Sequence, residues 1–369
     1  MKMTRTSAIS VLVLVVGLPA GVAKADFVFG ERVYLGPVVN SPYGDYEPFI
    51  APDGLSLYFS STRPGGLGNE DIWVSTKQTS ESNPEGYWGP PLNLGEPVNS
   101  EYREGLPTIT ADGLTLVFSS NRPGGLGEYD IWLSTRPTKE DPWSQPVNLG
   151  APVNSAGIEY CGCISPDGCS LYFSTGLSVG DDGFVYGGDI YKTTRATRDS
   201  PWEMPVKLEL MPSRNGSGNW QPSISADGLA LFFCSDYVDV SLLPDIWLAT
   251  RTSDDSSWGT PILLGPEINT LDGEDTPSIS ADGSTLYWCS GPGTDFNQYD
   301  LWQSTISPVV DLNADGIVDA EDMCIIVDHW GTDNSLCDIG PMPWGDGIVD
   351  VQDLIVLAEH LFEEVPPVQ

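Results

Sequence analysis

Between residues 311 and 322 oxygen-bearing side chains fall at a spacing that suits a hard cation. Asp311, Asn313, Asp315, Asp319 and Asp322 occupy positions 1, 3, 5, 9 and 12 of a twelve-residue loop. Gly316 stands at position 6, where a sharp turn is needed, and the carbonyl of Ile317 supplies position 7. Calcium takes six to eight such oxygens, so Ca2+ is the expected cofactor. An altered copy follows, in which Asp346, the carbonyl of Ile348, Asp350 and Asp353 keep the later positions. Met342 and Trp344 fall where its first and third ligands belong, and Asp338 is expected to reach in through a longer loop. Apolar residues then recur at helical spacing: Met323, Ile326, Val327 and Trp330 after the first loop, Leu354, Leu357, Ala358 and Leu361 after the second.

A second set lies upstream. In five similar segments one polar residue precedes a Pro or Gly by three positions: Asp45, Glu104, Glu159, Asn219 and Glu274. Four acids brought together repel, so they are expected to recruit a cation, bind ligand hydroxyl groups or shift their pKa values. The alternative is that each caps backbone amides at the start of its segment. Arg63 and Arg122 are placed to pair with these acids or to grip an anionic ligand. Both histidines, His329 and His360, lie in the C-terminal segment, which argues against a Ser-His-Asp site upstream. Whether the chain is an enzyme stays open. A glycoside hydrolase needs only two carboxylates, and Glu104, Glu159 and Glu274 are the candidates.

What would bring such residues together is a repeat. An Asp-Gly turn recurs at Asp53, Asp112, Asp167, Asp227 and Asp282, and in step with it Asp-Ile-Trp or a close variant begins at Asp71, Asp130, Asp189, Asp245 and Asp300. Between these markers lie short runs rich in β-branched and aromatic residues, bounded by turn residues. Each unit therefore reads as a four-stranded antiparallel meander. A fourth-strand tryptophan occurs at Trp88, Trp143, Trp202 and Trp258 but is missing from the fifth unit, and the stretch from Phe29 to Ser41 matches the one from Trp88 to Ser100 in length. An N-terminal strand that completes the last unit closes a ring without an exposed sheet edge. The fold expected is all-β, a five-bladed β-propeller over 26–308, followed by a small α-helical calcium-binding domain over 309–364. Closure sets the five polar residues around the mouth of a central channel. The aromatics Tyr43, Tyr46, Tyr102, Tyr160, Trp220 and Phe296 fall outside the repeat on the same face, where rings beside carboxylates suit stacking on sugars.

Residues 1–25 combine Lys2 and Arg5, a short apolar run and Ala23-Lys24-Ala25, which predicts a cleaved signal peptide and a secreted or cell-envelope location. That run is too short to span a bilayer, and no later one inserts into a membrane. The net charge of −36 over 369 residues argues against nucleic acid or an anionic membrane as partner and favours cations. Seven cysteines cannot all pair internally, and Cys324 with Cys337 is the expected disulfide.

The segments SADGLALFFCSD, SPDGCSLYFST and SSNRPGGLGEYDIW resemble the WD40-like, TolB-type propeller repeat of exported bacterial proteins, over about residues 27 to 308. The resemblance implies the fold and leaves the activity open, because propellers host unrelated functions, furanosidases among the five-bladed ones. The two calcium loops resemble a type I dockerin, including Asp at position 12. That resemblance implies docking onto a cohesin-like partner, as in assemblies that degrade polysaccharides. Ala320-Glu321 and Val351-Gln352 depart from the Ser-Thr pair common at the family's recognition positions, so a cell-surface protein is the alternative partner. The functional expectation is an exported module whose propeller binds a glycan or protein ligand, with a glycoside hydrolase and a structural envelope protein as alternatives.

Overall fold

The computed structural model describes residues 27–80, 83–176, 178–179, 185–186, 188–211, 218–236, 243–254, 256–293, 296–313, 317–332, 337–340 and 348–362. The expected signal peptide lies outside them, as do Asp315 and Asp346. The chain forms two compact units, Val28–Ser307 and a second that contains the chain from Pro308 onward.

In the first unit each repeat is an antiparallel meander. The first blade runs through Asp45–Ile50, Ser56–Ser61, Asp71–Ser80 and Leu92–Asn93, and the second through Glu104–Ile109, Thr115–Ser120, Asp130–Thr135 and Val147–Asn148. The third comprises Glu159–Ile164, Ser170–Thr175, Asp189–Thr194 and Val206–Lys207, and the fourth Asn219–Ile224, Ala230–Ser235, Asp245–Thr250 and Ile262–Leu263. The fifth has Gly273–Ile279, Thr285–Gly291 and Asp300–Pro308 from its own repeat. Its outer strand is Val33–Tyr34, with Val33 opposite Gln303 and Tyr34 opposite Trp302. First strands of neighbouring blades touch all the way round, so the five-bladed propeller is closed.

The closing segment also supplies a cation that the last blade lacks. Arg63 and Arg122 follow the second strands of blades one and two and lie over Phe59 with Trp73 and over Phe118 with Trp132. Blade five has no arginine there. Arg32 takes the place, 4.1 Å from the ring centre of Trp302 and 3.5 Å from Glu274, so closure joins charge and stacking to the backbone ladder.

Each repeated motif has a local physical cause. The Asp of Asp-Ile-Trp folds back on its own loop: Asp71 accepts from the amides of Leu67 and Gly68, and Asp130 from those of Leu126 and Gly127. A Cβ on Gly66 or Gly125 would lie 1.6 or 1.8 Å from these carboxylates, and one on Gly68 or Gly127 would lie 2.0 Å from a carbonyl of the next connector. That explains the Pro-Gly-Gly-Leu-Gly loops. Connector asparagines act as two-pronged clamps. Asn99 accepts from the Ile72 amide and donates to the Ile72 carbonyl, both at 2.9 Å, and Asn154 does the same with Ile131. Asn269 clamps Ile246 and Asn40 clamps Leu301. Trp73, Trp132 and Trp247 fill the space between adjacent blades.

The second unit contains helices Ala320–Asp328 and Val351–Glu359. Asp319 and Asp350 cap them in reciprocal boxes with Asp322 and Asp353. The halves mirror each other. The Gly331 amide donates to the Val349 carbonyl and the Phe362 amide to the Val318 carbonyl, so each half closes on the loop of the other. Val318, Ile326, Ile339, Val349 and Leu357 form its core. The expected Cys324–Cys337 disulfide does not form. Cys324 faces outward from the first helix while Cys337 packs into that core, and all seven cysteines are free thiols. Among the described residues no helix is long and apolar enough to cross a membrane.

Candidate functional site at the channel mouth

Of the five polar residues expected at the channel mouth, four open their inner strands and Glu274 is second in its own, and the four acids among them are fully or almost fully buried. Each acid is occupied. Glu104 accepts from the amide and hydroxyl of Ser100 at 2.7 Å each and from the Ser120 hydroxyl at 2.9 Å, with Arg122 3.0 Å away. Glu159 does the same with Ser155 and Thr175, and Glu274 with Thr270 and Ser290. Asp45 joins the Ser41 amide, the Ser61 hydroxyl and Arg63. Asn219, in blade four, donates to the Met211 carbonyl at 3.4 Å. Every acid thus ties a connector to the second strand of its blade. This is the capping arrangement, and it leaves these oxygens little capacity for a ligand. Burial is the largest influence on Glu274 and pushes its pKa up, against hydrogen bonds from Thr270 and Ser290.

Two other acids on this face depart from the repeat. Glu47 lies two residues into the first inner strand, at a bulge that four of the five blades build with a left-handed residue: Glu47 (φ 57), Leu106 (φ 51), Gln221 (φ 49) and Thr276 (φ 51). A proline follows each of the four, where the interrupted ladder asks for no amide donor. Glu70 stands just before the third strand of blade one, where blades two to five carry Tyr129, Gly188, Pro244 and Tyr299. Glu47 Oε2 and Glu70 Oε1 each lie 2.5 Å from the point a Cβ on Gly105 would occupy. The two oxygens are therefore no more than twice that distance apart. Gly105 itself sits where the other inner strands have Tyr46, Tyr160, Trp220 and Asp275. The carboxylates fill the space of the missing side chain.

The surroundings of this pair are specific. Glu47 Oε2 accepts from the Ser60 hydroxyl at 2.5 Å and from the Leu106 amide at 2.7 Å. Glu70 accepts from the Tyr46 hydroxyl, and Arg103 lies 3.9 Å away. Arg103 is half exposed, bonds the Tyr129 hydroxyl and stands beside exposed Tyr102. Tyr129 meets Tyr160 edge to face at 5.3 Å. Burial, and then the charge of Glu70, push Glu47 far above the usual carboxylate range. Burial also raises Glu70, against the opposing pull of Arg103 and Tyr46. Two neighbouring acids that both hold their protons more tightly than usual, under a half-exposed guanidinium and a set of tyrosines, can recognise hydroxyl groups as donor and acceptor together. They can also serve as an acid and base. Of the off-repeat aromatics, Tyr43 and Tyr102 are exposed, while Tyr46 and Trp220 are buried.

In the second unit Asp322 is buried and accepts from the amides of Leu312, Asn313 and Asp319. Asp353 accepts equivalently from Gly340 and Asp350, which sets Asp338, buried two residues before Gly340, in correspondence with Asp311. Asp315 and Asp346 belong to the same loops and lie outside the described residues. Among the described residues no group of three His, Cys, Asp or Glu side chains is arranged to hold a metal. The chemistry of the donors nevertheless fits a hard cation, because residues 309–369 contain no lysine or arginine to balance these buried acids.

Glu47, Glu70 and Arg103 were not among the residues singled out in the sequence. Their signal is that one repeat carries a charge where the other four carry uncharged residues: Leu106, Cys161, Gln221 and Thr276 match Glu47, Tyr129, Gly188, Pro244 and Tyr299 match Glu70, and Gly44, Ile158, Gly218 and Gly273 match Arg103.

Among solved structures, one described as a glycoside hydrolase is similar at a TM-score of 0.50 and 11% identity, over 77% of this chain and 92% of that one. TolB from Acinetobacter baumannii matches at a TM-score of 0.42 and 15% identity, over 73% of this chain and only 56% of TolB. An α-L-arabinofuranosidase from Podospora anserina, in complex with cellotriose, matches at 0.47 and 13%, over 76% of this chain and 98% of that one. Identities this low mark a shared fold alone. No protein-family model and no curated protein matches the chain.

Proposed function

We propose that this chain is an exported, non-enzymatic module whose propeller binds a carbohydrate at the channel mouth. The observation that carries the reading is the convergence of Glu47 and Glu70 over Gly105, beneath half-exposed Arg103 and exposed Tyr102. Carboxylates and guanidinium exchange hydrogen bonds with hydroxyl groups, and tyrosine rings supply flat apolar faces for a sugar. On this reading the C-terminal domain takes Ca2+ through Asp311, Asn313, Asp315, Ile317, Asp319 and Asp322, and through Asp338, Asp346, Ile348, Asp350 and Asp353. Bound calcium would supply the positive charge that this domain lacks, and the loaded domain would attach the propeller to a cohesin-like or cell-surface protein.

The test is a glycan array probed with the full chain, with calcium and with a chelator, followed by calorimetry with xylotriose and cellotriose. Saturable binding that is lost in Glu70→Gln supports the reading; no binding across the array contradicts it. Hydrolysis is the second reading, favoured by the same close pair of acids. Release of reducing sugar from xylotriose, lost in Glu70→Gln, would establish it over pure binding.

A further inference from the structure

Beside Glu47 the inner-strand bulges of the five blades line a small cavity. Its walls are Glu47, Leu106, Gly162, Gln221 and Thr276 with the prolines beside them, and its volume is about 20 Å³ measured to the centres of water-sized spheres. That is room for one water or one bare ion and no sugar. Two walls bear on what fills it. Gln221 is 92% buried by its 8% exposure, and its side-chain oxygen has no hydrogen-bond partner among the described residues. A buried amide oxygen left unpaired is costly, which points to a donor or cation that completes it. Across from it, Glu47 has neighbours of its own sign in Glu70 and buried Asp275. Asp275 accepts from the Trp220 indole at 3.2 Å and the Thr276 amide at 2.9 Å, both uncharged groups. Arg103 is the one cation that pairs with any of these three acids among the described residues.

We propose that this cavity holds a single calcium ion, with Glu47 and the side-chain oxygen of Gln221 among its ligands. With Glu47, Glu70 and Asp275 all ionised, three carboxylates and one guanidinium would leave two negative charges for a divalent ion to balance, and oxygen-only donors select a hard cation. The ion would bridge the inner strands of blades one and four across the axis. The site is separate from the two loops after residue 310.

Crystals of the full chain grown with calcium, measured at long wavelength, give the direct test. An anomalous peak within bonding distance of Glu47 and Gln221 is expected; a water there with no anomalous signal overturns the proposal. In solution, calcium retained after gel filtration is counted for the wild type, for Glu47→Gln, for Gln221→Leu and for the double variant Asp322→Asn with Asp353→Asn. Each lumen variant should lose one ion relative to the wild type, and the double variant should keep that ion. Equal calcium in wild type and both lumen variants refutes the site. The crystal measurement needs no variant, so misfolding of one cannot shield the idea.

Discussion

Asn99 and Glu104 illustrate how the connectors hold the blades. Asn99 accepts from the Ile72 amide and donates to the Ile72 carbonyl, which also accepts from the Leu94 amide, so Asn99→Ala would leave the buried amide of Ile72 unsatisfied. The expected loss is about 1–3 kcal/mol in urea unfolding, the usual cost of one orphaned buried group. Glu104 is a buried partner of Arg122 and of Ser100, and Glu104→Ala should cost about 3–5 kcal/mol, the usual penalty for stranding one member of a buried pair. The repetition of this acid in the sequence fitted both a ligand ring and a cap. Serine or threonine four residues before each acid, at Ser41, Ser100, Ser155 and Thr270, was the legible clue to the cap. Glu47 and Glu70 escaped notice because a reading by repetition looks past what occurs once.

At the scale of turns and strands, the Asp-Gly hairpins should make the propeller sensitive to acid. Hydrogen bonds from the Ser165 hydroxyl and then the Cys169 amide hold Asp167 below the usual carboxylate range. Partial burial, the largest single influence, pushes Asp112 and Asp282 up, but hydrogen bonds from Thr110, Arg198 and Leu114 in one and from Ser280 and Ser284 in the other outweigh it. A folded pKa below the unfolded value of about 3.9 means that the unfolded chain binds more protons in that window. The stabilisation is complete above the unfolded value and is lost as the pH falls through the folded one. Urea midpoints should therefore drop below about pH 4, and Asp167→Asn should make the drop shallower. An unchanged slope would show that the turn contributes nothing. The loops opposite make a steric prediction. Gly125→Ala places a methyl group on the Asp130 carboxylate, so it should lower the melting temperature more than Gly150→Ala, whose Cβ would meet no atom within 4 Å and bears only the strain of a left-handed backbone.

The whole ring depends on a short segment far from its partner in sequence. Val33 and Tyr34 complete the fifth sheet, and Arg32 brings it a charge. Removing residues 27–35 should expose the edge at Asp300–Pro308 and produce aggregating material by light scattering; a stable, soluble protein of unchanged size would mean that the blades do not need the clasp. This architecture was readable in advance because five copies carry the same turns, and the missing tryptophan of the last copy pointed to the N-terminus. The chemistry of the mouth was not, because Glu70 meets Gly105 and Arg103 only where blade two packs against blade one.

The central claim is that repeated acids hold the fold while acids that break the repeat meet the ligand. Calorimetric titration of a glycan that binds the wild type into Glu70→Gln and into Glu159→Gln separates the two roles, with circular dichroism to confirm that both variants are folded. Binding should vanish in Glu70→Gln and persist in Glu159→Gln at lowered stability. Binding that survives Glu70→Gln and fails in folded Glu159→Gln would contradict the claim.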